Sequence, residues 1–284
     1  MRTNIQTVGL PVGKMHRFHR RPERLFPNVV DQQSDTATTL TGNTTTAHTP
    51  ATTWTTLIAA TSGEVDWLQI TVSGSATSGT ATNALIDIGV GASTAETAII
   101  SNLPAGYIGV GDGSKITPGI MWIPCQVPKG TRISGRLRML RTTAPNTADV
   151  RVGTFYGGLR CGSIVDTYGA DTALSEGTLV SPTDTYVVFS ASTPIPYQAL
   201  VLLPSGVGGT TFNLATVTHS LAIGAAGAEV VVATQLVSTA VAETIKTESA
   251  PAIYSGHVPA GSRISVKSSA AHANRGAIVL GIRY

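Results

Sequence analysis

One eight-residue stretch occurs twice in this chain, and it constrains the fold more than any other feature. Residues 127–134 read Val-Pro-Lys-Gly-Thr-Arg-Ile-Ser, and residues 258–265 read Val-Pro-Ala-Gly-Ser-Arg-Ile-Ser. Proline and glycine suit a tight turn, because proline fixes φ and glycine accepts a positive φ. After the turn, apolar and basic side chains alternate, which is typical of a half-buried β-strand. Each copy therefore predicts a turn that leads into a strand.

Four further landmarks recur in the same order, at offsets between 128 and 135 residues. The matched pairs are Trp67 with Tyr197, Ile88-Gly89 with Ile223-Gly224, Glu96 with Glu229, and Val152-Gly153 with Leu280-Gly281. A period of this length exceeds the range of solenoid repeats, so it indicates a duplicated domain. We expect the two halves to superpose. The residues predicted to face inward are Ile70, Val72, Ile88, Ile133, Leu137, Leu200, Leu202, Ile223, Ile264 and Leu280.

The composition favours strands over surface helices. Only 12% of the residues are charged and 5% are aromatic, whereas 42% are hydrophobic. Each half offers six to eight short strand candidates that are separated by Gly, Pro, Asn and Ser. Residues 96–103 and 229–236 could be short helices, but their β-branched residues fit strands better. The predicted fold class is all-β, with two tandem duplicated antiparallel β-sandwiches of jelly-roll type after an extended N-terminal arm.

The sequence predicts four segments along the chain. From Thr36 to Thr56, twelve of 21 residues are threonine, which suits a linker or the approach to a first strand. The predicted segments are a basic, Thr-rich docking arm (1–50), a first sandwich (51–160), a linker (161–177) and a second sandwich (178–284).

The N-terminal arm concentrates positive charge. Residues 1–24 hold six basic residues and one acidic residue, whereas the whole chain has a net charge of +3. Such a cluster can bind nucleic acid or an acidic protein surface. Prolines and scattered apolar residues favour an extended segment that takes its shape from a partner's groove, and few aromatics are present to stack on bases. A solvated tail is the alternative. The residues predicted to dock on a protein partner are Arg17, Phe18, Arg20, Arg21, Arg24, Leu25 and Phe26.

The sequence carries no recognisable catalytic motif. Residues 109–115 resemble a phosphate-binding loop, but the spacing of a P-loop and the helix after it are missing. Neither a nucleophile elbow nor a zinc-protease motif occurs. Arg132 and Arg263 recur in both halves, and we expect each to pair with a neighbouring carboxylate. We therefore predict a protein that is not an enzyme, with no catalytic, cofactor-binding or metal-binding residues.

Cysteine content and hydropathy bear on the cellular compartment. Cys125 and Cys161 are the only cysteines, and we expect buried thiols, although one disulfide is also possible. No stretch approaches the roughly 20 apolar residues that span a membrane. No apolar core of a signal peptide follows the N-terminal charges. The prediction is a soluble protein that is made in a cytoplasm.

Tandem sandwiches rich in small residues, a docking arm and the lack of enzyme motifs resemble an accessory structural protein of a tailed-bacteriophage virion. The resemblance is one of style and covers most of the chain, without a family-specific motif. It implies a station at the neck or collar, in a tail fibre or baseplate, or as a capsid decoration. It also implies a homo-oligomer, assembled in the host cytoplasm, that contacts portal, neck, tail or capsid proteins through its arm.

Two other classes of function stay open. The first is a module that binds carbohydrate or a host receptor through aromatic side chains. Against it, Trp54, Trp67 and Trp122 all lie in apolar strand contexts. The second is a hydrolase of host envelope polymers, which would need paired carboxylates at a suitable distance. Its candidate residues are Asp87, Glu96 and Asp112.

Overall fold

The computed structural model shows an all-β protein. It describes residues 29–33, 36–74, 82–108, 119–139, 142–143, 146–157, 162, 165–180, 183–205, 215–239, 251–269 and 275–283. Within these ranges the chain forms nineteen strands and no helix. This result confirms the predicted all-β fold class, and residues 97–103 and 230–236 of the two helix candidates lie in strands, as expected.

Nine strands precede residue 160. They are β1 (Val29–Gln33), β2 (Thr38–Thr41), β3 (Thr55–Ile58), β4 (Val65–Gly74), β5 (Thr82–Val90), β6 (Thr97–Ile108), β7 (Gly119–Val127), β8 (Ile133–Met139) and β9 (Thr147–Tyr156). One sheet has the order β1-β9-β4-β7, with β2 also paired to β9. The facing sheet has the order β6-β5-β8-β3. All of these pairings are antiparallel, and we call this unit the first sandwich.

Ten strands follow residue 160. They are β10 (Val165–Tyr168), β11 (Ala170–Asp171), β12 (Glu176–Val180), β13 (Val187–Ser190), β14 (Ala199–Ser205), β15 (Ala215–Ile223), β16 (Val230–Thr239), β17 (Ala252–Tyr254), β18 (Ile264–Ser268) and β19 (Arg275–Ile282). Strand β19 lies between β14 on one side and β10 and β12 on the other, and β17 extends the sheet beyond β14. The facing sheet has the order β13-β18-β15-β16. This unit is the second sandwich.

The pairings of the first sandwich recur strand for strand in the second. Strands β10 and β12 take the places of β1 and β2, and β13 to β19 take the places of β3 to β9. The two halves therefore share one antiparallel topology, as the order of the landmarks predicted. The strand pairings also extend beyond the expected limits. Strands β1 and β2 lie inside the segment predicted as an arm, and β10 and β11 lie inside the segment predicted as a linker.

The structure corrects the register of one landmark. Val65 pairs with Val127 in the first sandwich, and Tyr197 forms a bridge to Val258 in the second. The counterpart of Tyr197 is therefore Val65, and the predicted match with Trp67 was wrong by two residues. A shift of two residues returns every side chain to the same face of a strand, so hydrophobic alternation cannot detect it.

A second landmark needs the same correction. Ile223 pairs with Ile264, and Val90 pairs with Ile133. Val90 is therefore the counterpart of Ile223, whereas the sequence matched Ile88 to it. The corrected offset of 133 residues agrees with that of Glu96 and Glu229, which follow in the next loop. The match of Val152-Gly153 with Leu280-Gly281 was wrong by one residue, because Gly153 pairs with Gln69 and Leu280 pairs with Val201, the counterpart of Gln69.

The two sandwiches share a hydrophobic core. Alternate residues of β14 face opposite ways: Val201 and Leu203 pack into a cluster with the interior of the first sandwich, and Leu200 and Leu202 pack inside the second. Strand β10 also pairs in parallel with β6, so one ten-stranded sheet crosses the junction. The sheet that contains β14 and β19 is therefore buried on both faces.

The predicted inward residues are almost all buried. Nine of the ten lie in one of the two core clusters with at most 2% of their surface exposed. Ile223 is the exception, because it is only partly buried against the second core. The alternation predicted for β8 also holds, since Leu137 is buried and Arg136 lies on the opposite face, half-buried.

Candidate functional site

The repeated Val-Pro motif forms the same hydrogen-bonded turn in both sandwiches. Thr61 N donates to the Thr131 carbonyl over 2.9 Å, and Thr61 Oγ1 donates to the Pro128 carbonyl over 2.7 Å. Thr193 repeats this arrangement, and its Oγ1 donates to the Pro259 carbonyl over 3.0 Å. Both threonines are buried. Because its polar groups bond within the chain, the motif has a structural role.

The two recurring arginines each bind a glutamate, which confirms the predicted pairing. Arg132 forms an ion pair with Glu96, and Arg263 Nη1 donates to Glu229 Oε1 over 2.7 Å. The hydrogen bond from Arg132 lowers the pKa of Glu96. The pKa of Glu229 is lowered by a hydrogen bond from its own backbone N–H and then by Arg263. In the first sandwich the ion pair connects the loop after β5 to the start of β8. In the second sandwich it connects the loop after β15 to the start of β18.

Two glycines shape the loops that carry these glutamates. Gly91 and Gly224 have φ angles of 124° and 131°. A Cβ on either residue would lie within 2.8 Å of a carbonyl oxygen in the same loop. Only glycine fits both the dihedral angle and the space, so the duplicated motif includes these glycines as well as the ion pairs.

A carboxylate, an arginine and two tyrosines meet beside the junction of the sandwiches. Tyr197 Oη and Arg283 Nε each donate to Asp166 Oδ2 over 2.8 Å. Tyr168 Oη is hydrogen-bonded to Tyr197 Oη, and the two rings meet edge to face with centroids 6.1 Å apart. The polar groups of this cluster are bonded to one another, which suits a structural network.

Burial and hydrogen bonding act on this network in opposite directions. Burial tends to raise the pKa of Asp166, but the hydrogen bonds from Arg283 and Tyr197 and the charge of Arg283 together lower it. Burial, followed by the hydrogen bonds to Tyr168 and Asp166, raises the pKa of Tyr197. The carboxylate therefore stays ionised and Tyr197 stays protonated at neutral pH.

A serine and a histidine meet at the junction without any signal in the sequence. His48 Nδ1 lies 2.8 Å from Ser175 Oγ, although 127 residues separate them. Burial lowers the pKa of His48 despite the opposing charge of Asp171. A hydroxyl beside an imidazole is the arrangement that activates serine nucleophiles. Ser175 is fully buried, however, so a substrate cannot reach this hydroxyl, and the pair serves to join the sandwiches.

The carboxylates proposed for a hydrolase are bound to other groups of the protein. Asp87 is 5% exposed and accepts hydrogen bonds from Arg136 Nε over 2.7 Å and from Asn102 N over 2.8 Å. Glu96 is held by its arginine, as described above. Asp112 lies outside the described residues. The two described candidates are thus part of the scaffold, on the side of the sheet that faces away from the first core.

The three tryptophans lie in three different environments. Trp67 is fully buried. The ring of Trp54 lies under the guanidinium of Arg136, whose Cζ is 4.5 Å from the ring centroid. Trp122 is only partly buried and packs against Phe155, with ring centroids 4.7 Å apart at 58°. An apolar strand context therefore indicated burial correctly for Trp67 alone.

Trp122 belongs to an apolar patch on the outer face of the first sandwich, in which the partly buried indole packs on Phe155, which is itself buried. Ile120 is two residues away on β7, so it shares that face, and it is 44% exposed. Phe155 lies on β9, with β4 between the two strands. We call Ile120, Trp122 and Phe155 the Trp122 face.

A second apolar surface lies on β16 in the second sandwich. Val230, Val231 and Leu236 are 64%, 44% and 60% exposed. Strand β16 pairs with β15 on one side, and the described residues provide no strand on its other side. Its ten residues include no charge and no proline, which are the usual protections of an edge strand. We call this surface the β16 edge.

Several predictions fall on other parts of the chain. The predicted docking residues lie outside the described residues, as do residues 109–115 and Cys161, so these stay predictions. The docking residues are Arg17, Phe18, Arg20, Arg21, Arg24, Leu25 and Phe26. Cys125 is buried in the shared core. Among the described residues, His, Cys, Asp and Glu form no group of three or more that could hold a metal ion, and no helix could span a membrane.

Comparison with known proteins gives only distant likenesses. No protein-family model and no curated protein sequence matches the chain. PNGF-II resembles it with a TM-score of 0.41 and 8% identity, over 87% of this chain and 65% of that protein, which is less than two thirds of its length. PNGase F, a glycosylasparaginase from Flavobacterium meningosepticum, resembles it with a TM-score of 0.34 and 9% identity, over 92% and 93% of the two chains. Likenesses of this strength carry no weight for the activity of the chain.

Proposed function

We propose that the chain is a non-enzymatic structural component of a tailed-bacteriophage particle. In this proposal the N-terminal arm anchors the protein, and the tandem sandwiches stand at the neck, collar or tail. One observation carries the proposal: the polar groups duplicated between the sandwiches bond within the protein, while an uncharged edge strand lies exposed at β16. Side chains used in this way favour assembly over catalysis.

The shared core supports the structural side of the proposal. Two sandwiches that meet through buried aliphatic side chains and a continuous sheet resist bending relative to each other, unlike domains on a flexible linker. A stiff unit of this kind suits a protein that holds neighbours at a fixed spacing. We expect copies to assemble through interfaces of about 2,000 Å² or more, as obligate oligomers do.

The anchoring role of the arm is tested by truncation at a boundary that the structure provides. Because β1 begins at Val29, deletion of residues 1–28 removes the basic part of the predicted arm and spares β1 and β2, which pair with β9. We expect a folded protein that no longer joins the particle. A matched variant that changes Arg17, Arg20, Arg21 and Arg24 to Gln separates charge from length, and we expect it to reduce incorporation too.

Two results would change the role proposed for the arm, and a third would change the proposed station on the particle. Normal incorporation of the truncated protein would locate attachment in the sandwiches. Loss of binding to the genome, with attachment retained, would favour the nucleic-acid role of the basic cluster. Cryo-microscopy of the wild-type particle identifies the station, and density on the capsid lattice would favour a decoration protein over a neck or tail protein.

A carbohydrate- or receptor-binding module is the second candidate, and the Trp122 face favours it. A partly exposed indole beside Phe155 offers a flat apolar surface of the kind on which sugar rings stack. Specific binding on a glycan array that is lost with Trp122→Ala and kept with Trp54→Ala would support this function. Depolymerase activity on envelope polymers that is lost with Asp112→Asn would instead make the protein an enzyme.

A further inference from the structure

The junction inside the chain joins one strand of the first sandwich to one strand of the second. The equivalent of each strand in the other sandwich has an edge that no described strand covers. Strand β6 of the first sandwich is covered by β10 of the second. The counterpart of β6 is β16, whose outer edge has no strand beside it among the described residues. The counterpart of β10 is β1, which pairs with β9 only, again within the described part of the chain.

The register of the internal contact is known. Val165 of β10 lies opposite Ile100 of β6 in a parallel pairing, and Thr167 Oγ1 donates to the Ser101 carbonyl beside it. Both Val165 and Ile100 belong to the shared core. The internal contact therefore joins a strand edge to a strand edge and buries apolar side chains next to it.

Strand pairing identifies the equivalent position on β1. Val165 lies opposite Ile282, and Val30 lies opposite Phe155. Phe155 pairs with Trp67, and Ile282 pairs with Ala199. Trp67 and Ala199 each follow one of the matched residues, Val65 and Tyr197, by two positions. Phe155 and Ile282 therefore correspond. Val30 therefore takes the place of Val165.

The equivalent position on β16 follows in the same way. Ile100 lies opposite Ile88, and Ala233 lies opposite Leu221. Ile88 and Leu221 correspond, since each stands two residues before the matched Val90 and Ile223. Ala233 therefore takes the place of Ile100.

We infer that the β16 edge of one copy binds the β1 edge of a second copy, with Val30 opposite Ala233 in a parallel pairing. This contact repeats between chains the junction that the chain already makes within itself. It deepens the self-assembly in the proposed function, and it rests on that part of the proposal. The occupant of both surfaces is another copy of this chain.

The Trp122 face supports the inference. Trp122 lies opposite Gln69, as Ile253 lies opposite Val201 in the second sandwich. Ile253 packs against the shared core at the junction. Trp122 thus occupies the position of a residue that the internal contact partly buries, and Ile120 extends the same surface. These side chains would pack on the core-facing side of β16 in the neighbouring copy, where Val230 is exposed opposite Ile223.

The two contacts differ in polarity. At the internal junction the face of β14 presents Val201 and Leu203, whereas the counterparts on β4 are Gln69 and Thr71. The contact between copies therefore buries less apolar surface than the internal contact does. The fraction of chains that are joined through it depends on the protein concentration. Because each copy carries one β1 edge and one β16 edge, the contact is head to tail, and repeated copies form a ring or an open filament.

Mixed cross-linking tests the register. One preparation carries Val30→Cys and the other Ala233→Cys, both in a Cys125→Ala, Cys161→Ser background. On mixing and mild oxidation we expect a disulfide-linked pair that neither preparation gives alone. Val188→Cys in place of Ala233→Cys is the matched control, because Val188 is 47% exposed on the opposite edge of the same sheet. A product between two Ala233→Cys chains, or an equal yield from the control, would overturn the inference.

Sedimentation equilibrium tests the surface independently. Val230→Lys and Ala233→Lys should each weaken self-association at least tenfold, whereas Val188→Lys should leave it unchanged, with circular dichroism confirming that each variant is folded. If the wild type self-associates, yet neither lysine weakens it and no mixed cross-link forms, this contact is wrong while the assembly proposal stands. If the wild type is monomeric at every concentration, both fail.

Discussion

Two adjacent leucines of β14 separate the contribution of the junction from that of a single sandwich. Leu202 is fully buried inside the second sandwich, and Leu203 is 2% exposed in the cluster shared with the first. The substitutions Leu202→Ala and Leu203→Ala remove the same atoms, one residue apart, from opposite faces of one strand. Any difference between them reports the difference between the two cores.

The expected cost follows from the burial of each side chain. Transfer of a leucine side chain out of water contributes about 1.5–3 kcal/mol, and the cavity left by truncation brings the measured loss to about 2–5 kcal/mol. We expect both variants to lose about 3 kcal/mol. If the face of Leu203 were a loose contact open to water, its truncation would cost about 0.5 kcal/mol or less.

The tryptophans make the coupling between sandwiches measurable. All three lie in the first sandwich, so tryptophan fluorescence reports its unfolding, whereas circular dichroism reports both sandwiches. In guanidinium titrations we expect a single transition by both probes. We also expect Leu203→Ala, a change in the second sandwich, to shift the fluorescence midpoint as far as the dichroism midpoint.

Two results would refute this reasoning. A fluorescence midpoint that stays at the wild-type value in Leu203→Ala would mean that the first sandwich does not depend on the junction. A loss below about 0.5 kcal/mol for Leu203→Ala, beside a full loss for Leu202→Ala, would mean that the shared cluster contributes little.

Three further predictions concern the polar groups. Thr61→Val and Thr193→Val should each cost about 1 kcal/mol in urea unfolding, because each removes a buried hydroxyl that donates to a proline carbonyl and accepts a backbone N–H of the same turn; a cost at only one site would show that the turns are not equivalent. Arg132→Ala and Arg263→Ala should lower the unfolding midpoint by similar amounts. An unchanged midpoint would show that the ion pairs do not stabilise the fold. Asp166, whose hydrogen bonds outweigh burial and lower its pKa, should stabilise the protein above about pH 3.9 and lose this effect as the pH falls through the folded-state pKa; Asp166→Asn should flatten this acid limb, and an unchanged limb would contradict the assignment.

The sequence predicts the sandwiches because their signals are local or repeated. The Val-Pro motif, the alternation of β8 and the paired Arg132 and Arg263 each depend on neighbouring residues, and duplication doubles the evidence. The register errors at Trp67 and Ile88 arose because a shift of two residues preserves the hydrophobic pattern of a strand.

The junction was not predicted, because its signals are distributed over long separations. His48 and Ser175 meet across 127 residues without a motif near either one. The unbroken apolar run from Ala199 to Leu203 is the one signal that could have been used, because a strand buried on both faces lacks alternation. The exposure of Trp122 depends on which face of the first sandwich stays uncovered when the two sandwiches pack together. The residues next to Trp122 in the sequence do not predict this.

The pairing of β19 determines the order in which the chain can fold during synthesis. Strands β10, β12 and β14 all pair with β19, which is translated about 110 residues after β10 begins. At a typical elongation rate this interval lasts roughly 5 to 20 s. During that time the first sandwich can close, but the apolar face that it presents to the second sandwich stays open to water. We expect this exposed face to make the partly synthesised chain prone to non-native contacts until β19 has been made.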